Sequence, residues 1–417
     1  MNPKTFCLLC LLLLSASAHA QTDHTIRIAT WNILNLSNGS GVTRFFDYQR
    51  VLDRIRPAIV VTQANLESFE STQFNLTLPN DFRQWGSAGF VDGPDTDPAC
   101  YYDTRLVTLI GSRYLATALR NIAEYHFTVI GARDTFRLFT CHLKADDATE
   151  DRLQRLEEAA VILRRMDTLA RDARRTGSGD TLFILAGDLN VYTASEPAYV
   201  ALTNPNAAIP DAPYFFDPIE RPGTWTGNAE FADIHTESSR VRSFGGGATG
   251  GMNDRFDQIL YSSAMGSRYV NGSYTTFGND GLHFNDSINR LPNAAVADSI
   301  AQSLHDASDH LPVYADFIFE TVKSGVGERP APRITETSVY PQPASDRVVL
   351  PVQWAAPGRM RLRLINDEGE TVLDRIVMIN SGDLTLELDV RSLPAGVYGY
   401  IAETPAVVGN GKLLIVK

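Results

Sequence analysis

The chain has 417 residues, 44% of them hydrophobic, and carries 49 acidic against 37 basic side chains for a formal net charge of −12. That balance excludes a protein that grips a polyanion through a broad basic face by counterion release, and leaves room for one that meets anionic groups through divalent ions. After the first residues no apolar stretch reaches the roughly 20 residues a membrane-spanning helix needs, so stable membrane insertion is not expected.

At the start, Lys4 precedes an apolar run from Phe6 through Leu14, and Ala18-His19-Ala20 sets small residues around a cleavage point before Gln21. This is the pattern of a signal peptide over residues 1–20. Cys7 and Cys10 leave with it. Cys100 and Cys141 remain, either bridged, which in the chain-entropy model stabilises by about 3–4 kcal/mol, or free.

Residues 21–320 alternate apolar strands with helical stretches. Ile26–Ala29, Ile59–Thr62, Phe136–Cys141, Thr181–Ala186, Gln258–Tyr261 and Pro312–Phe319 read as strands. A helix is predicted over Glu150–Arg175, with Leu153, Leu156, Ala160, Leu163 and Met166 as its apolar stripe and Gly177 and Gly179 ending it. The segment is long enough for one α/β or α+β domain with a sizeable core. Residues 321–337 form a linker, in which Val326–Pro332 has no apolar period and prolines keep it extended. Residues 338–417 read as a small all-β module. Its strands are Val348–Val352, Arg361–Ile365, Thr371–Met378, Thr385–Leu388, Gly396–Ile401 and Lys412–Val416.

Several of the larger segment's strands end in polar residues. Thr30-Trp31-Asn32 closes the first, His142-Leu143-Lys144 follows another, and Phe183-Ile184-Leu185-Ala186-Gly187-Asp188-Leu189-Asn190 ends in a carboxylate and an amide. Ala307-Ser308-Asp309-His310-Leu311-Pro312-Val313 sets a carboxylate beside an imidazole before the last strand. Strand ends of this kind hold metals and phosphates. Asp188 and Asn190 occupy alternate positions and can point to one side, whereas adjacent Asp309 and His310 face opposite ways. Asp257 is a candidate to orient His310 through its second ring nitrogen; the alternative is an ion pair with Arg255.

These segments resemble the endonuclease/exonuclease/phosphatase superfamily, whose fold is that of DNase I-like enzymes. Gly223-Thr224-Trp225, His235-Thr236, Arg242–Gly247, Thr249-Gly250-Gly251 and Asp254–Asp257 are similar to secreted Bacteroidetes members. The resemblance implies a four-layer α/β sandwich, two sheets face to face with helices outside, and a site where loops of both sheets meet. It implies Mg²⁺ or Mn²⁺, positioned by Asn32 and Asp309. By the same resemblance Asp188 activates water, Asn190 and His310 contact phosphoryl oxygens, His142 acts as acid or electrostatic residue, and Tyr102 lies near the phosphate. Lys144 is equally read as a solvated lysine. The glycine-rich run Gly245–Gly251 lacks the Lys-Ser/Thr of a phosphate-binding loop and reads as a mobile lip. His283 and His305 have no derivable role.

One position departs from the family. The second strand reads Ala58-Ile59-Val60-Val61-Thr62-Gln63-Ala64, with alanine where the family carries its principal glutamate ligand. Glu67 could swing in instead. Mg²⁺ keeps several waters and needs few protein ligands, so weak binding through Asn32, Asp188 and Asp309 is the second outcome, and a binder without turnover the third. The expected function is a secreted phosphodiester hydrolase, a nuclease acting on DNA or RNA. The alternatives are a degenerate binder of nucleic acid or phosphorylated ligands, a phosphomonoesterase and a lipid phosphodiesterase. A monomer is expected.

The C-terminal module carries Tyr340–Asp346, Leu388-Asp389-Val390 and Leu393–Tyr398 as ordered landmarks. It resembles the sorting domain of the type IX secretion system of Bacteroidetes, which implies that machinery as a partner and export to the surface or medium. A carbohydrate-binding sandwich is the alternative.

Overall fold

The computed structural model describes residues 23–36, 41–66, 74, 78, 85–177, 182–204, 213–321, 339–354, 358–366, 370–379, 382–403 and 408–417. The expected leader, almost all of the expected linker, and Glu67 lie outside the described residues. The chain divides into two compact units, Met1–Val322 and Lys323–Lys417.

In chain order the larger unit contains β1 (His24–Leu36), α1 (Gly41–Ile55), β2 (Ile59–Asn65), β3 (Trp85–Ser87), β4 (Asp97–Asp103), β5 (Val107–Leu115), β6 (Ile122–Val129) and β7 (Thr135–His142). There follow α2 (Thr149–Thr176), β8 (Phe183–Asp188), α3 (Pro197–Thr203), β9 (Phe215–Phe216), β10 (Asp257–Ser262), β11 (Thr275–Thr276), α4 (Asp298–Ala307) and β12 (Val313–Phe319). The strands form two six-stranded mixed sheets, ordered β11-β12-β1-β2-β4-β3 and β5-β6-β7-β8-β10-β9.

The central strands are buried on both faces, which explains their continuous apolar runs. Ile26, Ile28, Ile59 and Val61 of the first sheet and Phe136, Leu138 and Ile184 of the second meet in the core between the sheets. On the outer face of the first sheet, Trp31, Ile33 and Val60 pack with Val51 and Leu52 of α1 and Leu304 of α4. Outside the second sheet, Phe139 and Leu185 pack under Ile162 and Met166 of α2 and Leu202 of α3. Helix, sheet, sheet, helix is the four-layer arrangement expected from the sequence.

The predicted stripe of α2 holds only in part, with Leu163 and Met166 buried and Leu156 partly so. Its buried side chains include Arg155, Glu158, Ala159, Ile162, Met166 and Leu169, while Leu153 is 51% exposed. Apolarity alone rotated the face, because this helix buries an ion pair: Arg155 Nε lies 2.5 Å from Glu196 Oε1. The same guanidinium donates to the carbonyls of Lys144 and Asp146, fixing the loop after β7. Gly177 adopts φ 68° and ends the helix in the left-handed region.

The two described cysteines, Cys100 and Cys141, are free and buried. Cys100 sits in the core between the sheets and Cys141 under α2, on opposite faces of the second sheet, so the bridge considered above does not form.

The smaller unit contains β13 (Arg347–Trp354), β14 (Gly358–Ile365), β15 (Thr371–Ile379), β16 (Gly382–Asp389), β17 (Gly396–Glu403) and β18 (Val408–Ile415). They form a two-stranded sheet, β13-β16, and a four-stranded one, β15-β14-β17-β18. Val348, Leu350, Leu362, Leu364, Leu388 and Tyr400 share its separate core.

Candidate active site

Strand register brings the polar strand ends to one edge of the sandwich. Parallel pairing of β7 with β8 sets His142 beside Asp188, and antiparallel pairing of β8 with β10 sets Asp257 on its other side. In the first sheet Asn32 pairs with Gln63, while β12 starts just after His310. Trp31 Nε1 donates to the His310 carbonyl at 2.9 Å, tying that approach to β1.

Asp188 is the meeting point of the two sheets. Asn32 Nδ2 donates to its Oδ2 at 2.9 Å, and the Asn190 backbone N–H donates to its Oδ1 at 3.0 Å. His142 Nε2 lies 3.4 Å and His310 Nε2 3.9 Å from Oδ2. Burial would raise this carboxyl, but the two imidazoles and the two donors hold it below its ordinary value. Burial also depresses His142, to about 4, so its ring is neutral at pH 7. Asn190, at φ 49°, spends one amide N–H on the Leu143 carbonyl at 3.0 Å.

His310 is the second hub. Asp257 Oδ2 lies 2.7 Å from its Nδ1 and Glu237 Oε1 3.2 Å from its Nε2. Burial works to lower the imidazole, yet the Asp257 and Glu237 carboxylates hold it well above its ordinary value. Burial raises Asp257 against the pull of His310, and raises Glu237 to about 7. Arg255 does not compete for Asp257, because it pairs with Asp217 at 2.7 and 2.8 Å.

Glu237 was missed by the sequence reading. The only signal was its place beside His235-Thr236, in a stretch with no regular period. Thr236 Oγ1 accepts from the N–H groups of Phe256 and Asp257, which docks the stretch against the start of β10. Glu237 also bridges to Asp254 and His310 through its backbone.

Asp309 reaches the same cluster, where one donor atom from each of Glu237, Asp309 and His310 lie within 4.8 Å of one another. Its Oδ2 accepts from the Ala248 N–H at 2.6 Å. A Cβ at Gly247 (φ 80°) would stand 2.3 Å from that oxygen, so glycine is required for the approach. The glycine-rich run is therefore bound to the site and not a free lip. Arg240 adds to this by donating to the carbonyls of Phe244 and Gly246.

Other candidates lie apart. Tyr102 pairs with Ile59 at the far end of β2 and packs on Phe127, whereas the site end of β2 pairs with Asp97. On β4, five residues of strand, about 17 Å, separate Tyr102 from Asp97. Lys144 Nζ is held by Asp146 and Asp151 at 3.0 and 3.1 Å. His283 is fixed between Asp280 and the Arg290 carbonyl, and His305 beside Asp306. Ala64, 2% exposed at φ 61°, offers no donor, and Gln63 points its amide at Thr30 and Thr140.

The donor set fits a hard dication. Asp188, Glu237, Asp257 and Asp309 surround one cationic imidazole in a largely dry space, and Asp257 Oδ1 is buried without a partner. Oxygen donors in excess over positive charge are what Mg²⁺ or Mn²⁺ selects.

Solved structures similar to the chain include an endonuclease/exonuclease/phosphatase family protein from Bacteroides thetaiotaomicron, with 18% identity, 72% of this chain and 97% of that one covered, and a TM-score of 0.47. A truncated Caenorhabditis elegans TDP2 gives 17% identity over 70% and 97%, with a TM-score of 0.45. A Bacteroides thetaiotaomicron mannosyl-6-phosphatase gives 18% identity over 70% and 100%, with a TM-score of 0.46. No curated protein matches the chain. Among the described residues no helix is long and apolar enough to cross a membrane. Residues 338–416 match the family of secretion system C-terminal sorting domains, a module that addresses a chain to its secretion machinery.

Proposed function

We propose that the chain is an exported, divalent-cation-dependent phosphoric ester hydrolase, and that its substrates are phosphodiesters of nucleic acids. The observation that carries this reading is the setting of Asp188, a buried carboxylate kept ionised and aimed by donors from both sheets. Such a group accepts the proton of an attacking water. Asn32 and the Asn190 N–H fix its orientation, so no rearrangement precedes proton transfer. His310, cationic and oriented by Asp257, offers positive charge to a phosphoryl oxygen. His142 is neutral and acts as a hydrogen-bonding group, since an imidazole depressed to about 4 carries no charge at pH 7. Asn32 and Asp309 would hold the cation, which when bound supplies charge that neutralises the phosphate group.

Purified mature protein is assayed on plasmid DNA, RNA and bis-p-nitrophenyl phosphate with Mg²⁺, Mn²⁺ or EDTA. Cleavage that EDTA stops is expected, and Asp188→Ala should lower it by about 100-fold or more. Equal rates in wild type and Asp188→Ala would remove the mechanism. Ala64 favours a second reading, a secreted binder of phosphorylated ligands without turnover. Oligonucleotide binding without metal-dependent cleavage of any substrate is the result that selects it.

A further inference from the structure

The strand that ends at Ala64 brings no carboxylate to the site, and yet the site does not lack them. Glu237 enters from another direction, on the stretch that Thr236 docks against β10. We propose that Glu237, together with Asp309, ligates the divalent cation and so replaces the ligand that position 64 does not supply; the inference rests on the hydrolase reading above.

Three features single out this side chain. Several buried acids outside the cluster are committed to arginines: Glu196 to Arg155, Glu124 to Arg137 and Arg165, and Asp217 to Arg255. The Glu237 carboxylate lies 3.2 Å from the His310 ring, a partner it can exchange, and within 4.8 Å of a carboxylate oxygen of Asp309. Its backbone is fixed, with its N–H donating to the Asp254 carbonyl at 3.1 Å and its own carbonyl accepting from Asn253 and Asp254 at 2.8 and 2.9 Å. Its side chain is also one of the more open in the cluster, 13% exposed against 1% for Asp188.

The partner is suited to the same task. Asp309 Oδ2 is occupied by the Ala248 N–H, but Oδ1 has only the Ser308 hydroxyl at 3.4 Å, at the limit of a hydrogen bond. Ser239 N–H donates to the Asp309 carbonyl at 2.7 Å, so the segments bearing the two carboxylates are joined directly. On the other side of His310, Asp188 and Asp257 also bring donor atoms within 4.8 Å of it, and Asp257 Oδ1 is buried without a hydrogen bond. Ligation by Glu237 also releases His310 Nε2. That N–H is then free for a phosphoryl oxygen, while Asp257 keeps hold of Nδ1.

The test is a Mn²⁺ titration of the full exported chain by electron paramagnetic resonance, with no substrate present. Glu237→Gln keeps shape and removes the charge, and should weaken Mn²⁺ binding by about tenfold or more, with Asp309→Asn doing the same. Adding Ala64→Glu to Glu237→Gln should restore binding. Circular dichroism and urea midpoints report whether each variant folds, and Glu237→Asp, which keeps the charge, serves if the glutamine does not. Wild-type affinity in Glu237→Gln, with binding lost in Asp309→Asn, overturns the inference and leaves the hydrolase reading intact. Absence of Mn²⁺ binding in the wild type at millimolar concentration also overturns it, and the hydrolase reading then stands or falls on the Asp188→Ala assay.

Discussion

Asp188 and Asp257 are register partners on neighbouring strands, both buried, yet they are driven in opposite directions. Burial raises each. Asp188 gathers two imidazoles and two hydrogen-bond donors and ends below its ordinary value, whereas burial outweighs the pull of His310 on Asp257, which ends above it. The count of donors decides the sign. A third buried acid gives a prediction free of the site. Burial would raise Asp217, but Arg255 holds it below its ordinary value. A depressed folded pKa means that the unfolded chain takes up the proton first, so the stabilisation is present above about pH 4 and is lost as pH falls below it. Asp217→Asn should therefore cost about 3–5 kcal/mol at pH 7, where Arg255 is left buried and unpaired. Urea midpoints at pH 7, 5 and 3 should show the gap between variant and wild type closing at the lowest pH. A constant gap would contradict the assignment.

Among the elements, α2 shows what sequence pattern conveys and what it omits. Its end was legible from Gly177, but its buried face only in part: Leu163 and Met166 were read, Arg155 and Glu158 were not. Arg155 and Glu158 count as polar on any hydrophobicity scale, and only the partners, Glu196 and the Lys144 N–H, make their burial affordable. Leu153→Ala should accordingly change stability by no more than about 0.5 kcal/mol, and Ile162→Ala should cost about 2–5 kcal/mol in urea denaturation. The strand ends were legible for a different reason. An apolar run that stops at Asp188, or a mostly apolar one that stops at His142, marks both a strand and the edge where it leaves the core. Tyr102 was misplaced because sequence does not give register, and the pairing of Ile59 with Tyr102 sends it to the opposite edge. Glu237 was illegible because its position depends on a threonine hydroxyl and a bridge to His310 that no local spacing encodes.

For the molecule as a whole, three cores hold the larger unit and a fourth holds the smaller. No cross-link joins the described cysteines, and burial raises both thiols well above their ordinary value. The melting temperature of the exported chain should be the same with and without dithiothreitol, and both thiols should resist alkylation until the protein unfolds. A fall in melting temperature on reduction would contradict the structure. Export without a disulfide fits a domain large enough to be stable through packing alone.

The pairing of Asn32 from one sheet with Asp188 from the other has a mechanical consequence. The two layers share no backbone ladder, so packed hydrocarbon and a few buried side-chain bonds, such as Gln63 to Thr140, set the gap that this amide spans. The reacting groups thus act as a caliper across the sandwich: a methyl removed from Ile28 or Leu138, in the layer between the sheets, would alter how closely the jaws meet.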